Sequence, residues 1–164
     1  MSNALENAWA LLGACTPLKG DCGALCGAAC CAPDEDGQGA VQLFPGERAL
    51  IGAVGWARFE EADAGVTLVC DGHCERAKRP LGCRIFPLTP VRRGGAWDVR
   101  LDRRAWAMCP LMGSGIMGLA PDFVEAVREA VRMLAADAEI EPFLRAWARR
   151  ERAYRAPLTA EGWR

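Results

Sequence analysis

Four cysteines fall within ten residues in the stretch Cys22-Gly23-Ala24-Leu25-Cys26-Gly27-Ala28-Ala29-Cys30-Cys31, which contains no acidic or basic residue. Core packing does not require sulfur at this density. A metal site does, because the ligand is the thiolate and several thiolates must crowd together to share one ion. A packing seam of small residues is the alternative, but the adjacent Cys30 and Cys31 exceed what such a seam needs. The stretch therefore predicts a metal site.

The cysteines at positions 22, 26 and 30 lie four residues apart. On a helix this spacing would form a stripe of thiols, separated by about 6 Å along the axis. Gly23 and Gly27 instead favour tight loops around an ion. Both conformations bring the sulfur atoms together, and the sequence leaves the choice open.

The rest of the sequence indicates the cellular compartment in which we expect the protein. Residues 1–14 contain no lysine or arginine, so they lack the positive region of a signal peptide. The sequence contains no apolar run of about 18 residues, so we expect no transmembrane helix. We therefore expect a cytoplasmic protein, in which clustered cysteines more often bind metal than form disulfides. A net charge of -1 and a pI near 5.9 argue against nucleic-acid binding.

A second informative segment runs from Cys70 through Cys74 to the motif Arg79-Pro80-Leu81-Gly82-Cys83-Arg84-Ile85-Phe86-Pro87, and Cys109 follows downstream. Together with the dense cluster, this motif resembles the YkgJ-like (CxxCxxCC) cysteine-cluster family of zinc- or iron-chelating domains. The resemblance spans roughly residues 22–110. The family name implies two residues in each gap between cluster cysteines, whereas both gaps here contain three.

The resemblance implies that eight cysteines form one framework for zinc or iron, the latter including an iron–sulfur cluster. These are Cys22, Cys26, Cys30, Cys31, Cys70, Cys74, Cys83 and Cys109. We expect the ninth, Cys15, to be a small buried residue and not a ligand. Two divalent ions would leave half of the eight thiolate charges uncompensated. Arg76, Arg79 and Arg84 could offset that charge and donate hydrogen bonds to sulfur; a solvated basic face is the alternative.

No catalytic constellation emerges from the sequence. His73 is the only histidine, and it is not needed as a ligand because eight cysteines suffice for two four-coordinate sites. The G-x-G-x-x-G pattern at residues 113–118 follows no clear strand, so we expect a loop. A domain similar to the cysteine family occurs in flagellin lysine methylases, but this chain matches only the cysteine region. An enzyme, such as a protein methylase or oxidoreductase, is therefore the weakest reading.

The patterning predicts a small irregular α+β domain wrapped around a cysteine-ligated metal centre, with C-terminal helices. We expect helices over residues 3–12 and 47–56, with Ser2 capping the first and Glu47 in the first turn of the second. Strands are expected near residues 41–43 and 66–69, a polar loop over 33–39, and a hairpin over 91–101. Two further helices begin near residues 121 and 140. One domain covers residues 1–164, with the cysteine core at 22–110 and the helical part at 120–155.

The leading function is metal binding, in a redox or metal-handling role. The alternative is a zinc-stabilised protein-interaction module without a redox role. The expected partners are metal ions, with neither nucleic acid nor membrane, and the sequence does not identify a protein partner.

Overall fold

The structure is a computed structural model that describes residues 3–32, 35 and 37–153. Helices and antiparallel strands share one small fold. The helices are α1 (Asn3–Leu11), α2 (Gly23–Cys26), α3 (Glu47–Ile51), α4 (Leu81–Ile85), α5 (Pro121–Ala135) and α6 (Glu141–Ala153). The strands are β1 (Gly39–Gln42), β2 (Ala57–Ala62), β3 (Gly65–Cys70), β4 (Leu88–Arg93) and β5 (Ala96–Leu101).

The strands form two separate antiparallel sheets. The first has the order β1-β3-β2, and the second is the β4–β5 hairpin. Cys70, the last residue of β3, lies opposite Gly39 on one side and Ala57 on the other. A Cβ atom added at Gly39 would lie 3.2 Å from the Cys70 sulfur. Small residues on both neighbouring strands therefore leave room for this thiol.

Two hydrophobic clusters hold the fold together. The larger joins α1, α4, the hairpin, α5 and α6, and its fully buried members include Leu5, Leu81, Val127 and Leu144. The smaller consists of Leu43, Ile51 and Leu68 under the three-stranded sheet. Helix α5 contacts both α1 and β5, so it is the central element of the larger cluster.

Several sequence predictions are confirmed. Helix α1 buries Leu5 and Ala8, with Leu12 buried just beyond its end, and α5 buries its predicted stripe. The hairpin turns at Gly94 and Gly95, as expected. The predicted cap at Ser2 lies outside the described residues. So do parts of the predicted polar loop, at positions 33, 34 and 36.

Two predictions are wrong. The helix expected to reach Trp56 ends at Ile51, because Gly52 has a φ of 69° that breaks the helix. Strand β2, which follows, was not predicted. Its sequence around Arg58, Glu60 and Glu61 is mostly charged, and those side chains are exposed at the edge of the sheet.

None of the described helices has the length and apolar character needed to span a bilayer.

Candidate metal centre

The dense cysteine stretch combines a helical and a looped conformation. Helix α2 begins directly after Cys22 and ends at Cys26, and a 3-10 turn covers Ala29–Cys31. Between them, Gly27 and Ala28 both adopt left-handed backbone conformations, with φ values of 61° and 56°. A left-handed alanine costs roughly 1–2 kcal/mol. Neither α2 nor the 3-10 turn contains a buried residue, so burial of side chains does not explain why the stretch holds this path.

Five of the eight predicted ligands line one small cavity of about 40 Å³. They are Cys22, Cys26, Cys30, Cys83 and Cys109. This volume is enough to admit an ion or a water molecule. The stretch around α2, helix α4 and the segment before residues 110–114 each contribute thiols. The fold thus brings together cysteines that are up to 87 positions apart in the chain, from position 22 to position 109.

The other three cysteines lie next to this group. Burial, and after it the neighbouring thiols of Cys31, Cys74 and Cys70, raise the pKa of the Cys83 thiol to about 12. Cys31 in turn accepts a hydrogen bond from the Cys30 thiol, which lowers the pKa of Cys31 and raises that of Cys30. All eight predicted residues therefore belong to one neighbourhood, in which the thiols affect each other's ionisation.

The thiols are close but not arranged as ligands. Within residues 3–32, 35 and 37–153, no group of three or more His, Cys, Asp or Glu side chains has its donor atoms placed to hold a metal ion. The cysteine-ligated centre expected from the sequence is therefore not shown by this structure and stays a prediction. The chemistry of the donor set still suits zinc or an iron–sulfur cluster, since both are bound by thiolates.

The three predicted arginines have different contacts. Arg79 donates from Nε to the Cys74 sulfur at 3.3 Å, which is the hydrogen bond to sulfur expected of it. Arg76 donates to the carbonyl oxygen of Cys15 at 3.2 Å, not to a thiol. All three line the 40 Å³ cavity, so positive charge surrounds the thiols.

Arg84 holds backbone in place. It is buried and donates to the carbonyl oxygens of Arg79, Trp9 and Ala77 at 2.7–3.0 Å. Its guanidinium also stacks on the Trp9 ring, 4.0 Å from the ring centre. Arg84 thereby fixes the segment between Cys74 and Cys83 against α1.

Cys15 and His73 lie at the margins of the site. The Cys15 thiol donates a hydrogen bond to the Leu11 carbonyl oxygen at 3.3 Å and packs against the larger core, although it also lines the cavity. His73 is exposed and pairs with Asp71 through Nδ1 at 2.9 Å. His73 is not needed as a metal ligand, because the eight cysteines suffice for two four-coordinate sites.

Glu47 is a residue that sequence reasoning undervalued. It lies in the first turn of α3, as predicted, but it is fully buried. Its two carboxylate oxygens accept hydrogen bonds from the backbone N–H groups of Phe44 and Leu81. Leu81 opens α4, the helix that carries Cys83, so Glu47 positions that helix. The Pro-Gly-Glu sequence indicated a helix start, but nothing in it indicated this long-range contact.

Comparison of the chain with models of known protein families, with curated proteins and with solved structures found no match. The resemblance to the cysteine-cluster family therefore stays a prediction that rests on the motif.

Proposed function

We propose that this chain binds zinc or iron through its eight clustered cysteines, with an iron–sulfur cluster as one form of the bound metal. The observation that carries the proposal is the convergence of thiols from distant segments on one cavity of about 40 Å³. Side-chain rotation would be needed to bring the sulfur atoms into coordination. When bound, the metal would link the stretch around α2 to β3, α4 and Cys109.

Electrostatics supports the same proposal. Burial, and then neighbouring thiols, raise the pKa of Cys83, while Asp21, Cys26 and Cys109 add to the effect of burial at Cys22. Crowded thiolates repel one another, and a bound cation removes that repulsion while displacing the thiol protons. Arg79 already donates to the Cys74 sulfur, and with metal bound this would be a hydrogen bond to a ligand sulfur.

The conformation of the cysteine stretch adds a third argument. Residues 23–26 and 29–31 bury no side chain, and Ala28 holds a strained left-handed conformation. Binding free energy on the order of 10 kcal/mol, typical of a structural zinc site, would far exceed the cost of that strain.

A zinc-stabilised interaction module is the second candidate. It is favoured by large apolar side chains exposed around the thiols. Leu25 is 62% exposed and lies within the cysteine stretch, and Trp106, three residues before Cys109, is 65% exposed. Exposed apolar side chains mark a protein contact where they form a contiguous patch.

The proposal is tested by replacing cysteines with serine and measuring zinc and iron per chain. Cys83→Ser and Cys109→Ser are expected to lose most of the bound metal, because each removes one of the eight proposed ligands. Cys15→Ser is the matched control and is expected to keep the wild-type content, since its thiol is hydrogen bonded to Leu11 and packed against the core. Full metal content in Cys83→Ser together with loss in Cys15→Ser would refute the assignment of ligands.

A further inference from the structure

A second cavity, of about 460 Å³, lies beside the thiols and is bounded by β1, α4 and α6. Its volume falls within the range of about 300–1,000 Å³ that is typical of sites for small organic ligands. The 40 Å³ cavity, by contrast, is about a tenth of this size and is lined by five of the eight cysteines. The larger cavity therefore calls for a different occupant from the one proposed for the thiols.

One side of this larger cavity is apolar, and its Trp147 ring is held in place. Phe86, Met108 and Trp147 line it. The Trp147 indole N–H donates to the Thr89 hydroxyl at 3.0 Å, which fixes the ring orientation. The Trp147 ring also packs against Phe44 and Phe143, with ring centres 5.6 and 5.9 Å away. A planar or aliphatic group could pack on this wall without reorganising it.

The charged groups that line the cavity are mainly arginines. The described lining residues include three arginines, at positions 79, 104 and 150, and a single carboxylate, that of Glu151. Glu151 is paired with Arg100 at 3.0 Å, and both side chains are largely buried. Its negative charge is thus already compensated from outside the lining. Arg79 donates a hydrogen bond to the Cys74 sulfur, and Arg104 donates several hydrogen bonds to the Asp102 carboxylate.

Arg150 differs from the other two. In the described part of the chain, no carboxylate lies within ion-pairing distance of it. Arg150 is an exposed residue. Partial burial of its guanidinium lowers the pKa, as do the positive charges of Arg104 and Arg149. An anion at this position would relieve that repulsion. An arginine suits a carboxylate in particular, because its planar fork can donate two parallel hydrogen bonds.

We propose that the 460 Å³ cavity binds a small organic carboxylate with an apolar body. Arg150 holds the acidic group, and the body packs against Trp147 and Phe86. This ligand is distinct from the metal proposed above, and the two sites share Cys30, Cys31 and Cys83, which form part of the cavity wall. The arrangement would place the ligand directly beside the thiols.

The test uses 2-naphthoate as the probe and isothermal calorimetry on the full chain as purified. We expect saturable binding of 2-naphthoate, and binding at least about tenfold weaker for the neutral 2-naphthamide. A charge-assisted hydrogen bond is worth about 1.5–3 kcal/mol, which is tenfold or more in affinity. This comparison of two ligands on the wild-type protein does not depend on how any variant folds.

Two substitutions in the same helix locate the site. Arg150→Gln is expected to weaken 2-naphthoate binding at least about tenfold. Arg149→Gln removes the same charge from the neighbouring position, which does not line the cavity, and is expected to change the affinity by less than about twofold. The proposal is overturned if 2-naphthoate does not bind, if the amide binds equally well, or if both variants lose the same affinity.

Discussion

At the scale of single residues, Glu47 links two parts of the chain that are far apart in sequence. Its carboxylate accepts the N–H groups of Phe44 and Leu81, so one side chain connects the start of α3 to the start of α4. Arg84 complements it by binding three carbonyl oxygens around the same segment. The position of Cys83 therefore depends on two buried ionisable side chains as well as on apolar packing.

The cost of burying Glu47 depends on pH. Burial raises the carboxyl pKa from 4.5 to about 7, and the two backbone hydrogen bonds and Arg84 only partly oppose it. Below pH 4.5 the group is neutral in both the folded and the unfolded chain. As pH rises towards 7, the unfolded chain ionises first, so the folded state loses stability. The loss is complete above pH 7 and amounts to about 3 kcal/mol.

Glu47→Gln removes this ionisation and should remove the pH dependence with it. Between about pH 4.5 and about pH 8, the free energy of unfolding of the glutamine variant should gain about 3 kcal/mol relative to wild type. Urea unfolding of both proteins across this range measures the difference. The glutamine variant also loses a hydrogen bond to one backbone N–H, which lowers its free energy of unfolding by the same amount at every pH. The test therefore compares how the free energy of unfolding changes with pH in the two proteins. Parallel curves would show that Glu47 does not titrate in this range.

At the scale of elements, α4 sits close to β1 and α6, and Gly82 is the residue that permits this approach. A Cβ atom added at Gly82 would lie 2.9 Å from Val41 Cγ2 and 3.2 Å from Trp147 Cη2. Val41 is stiff about its first side-chain torsion, and Trp147 is fixed by its hydrogen bond to Thr89. Neither neighbour can yield cheaply.

Gly82→Ala should therefore destabilise the protein by about 1 kcal/mol. Overpacking costs about 1–3 kcal/mol, whereas the better helix propensity of alanine returns at most about 1 kcal/mol. Gly113→Ala is the matched control, because a Cβ atom there meets nothing within 4 Å and its φ is not positive. The control should be neutral or slightly stabilising. Denaturant unfolding decides, and a Gly82→Ala protein as stable as the control would contradict the close packing.

The elements also show what the sequence could predict. Periodic apolar residues were enough for α1, for α5 and for the hairpin, because each buries a regular stripe. The end of α3 depends on the conformation of Gly52, and β2 depends on pairing with β3, so local pattern revealed neither. The motif identified the cysteines, but the neighbours of each thiol depend on turns such as Gly27–Ala28. The 460 Å³ cavity could not be predicted at all, since α6, α4 and β1 meet only in the folded chain.

At the scale of the whole molecule, the apolar cores and the cysteine stretch at residues 22–31 occupy different parts of the structure. The larger core joins α1, the hairpin and the two long C-terminal helices. The cysteine stretch contributes no buried residue to either core. A bound metal would therefore stabilise the part of the chain that apolar packing leaves unsupported, and would tie it to β3 and α4.

The most direct test is to purify the wild-type chain without oxygen and to measure zinc, iron and acid-labile sulfide per chain. The account predicts either about two zinc ions, one for each set of four cysteines, or iron with an equal amount of sulfide and a brown colour. Zinc alone, with no uptake of a cluster on reconstitution, would favour the interaction module. Protein that contains neither metal in stoichiometric amount, and takes up neither on reconstitution, would contradict the claim that these cysteines form a metal site.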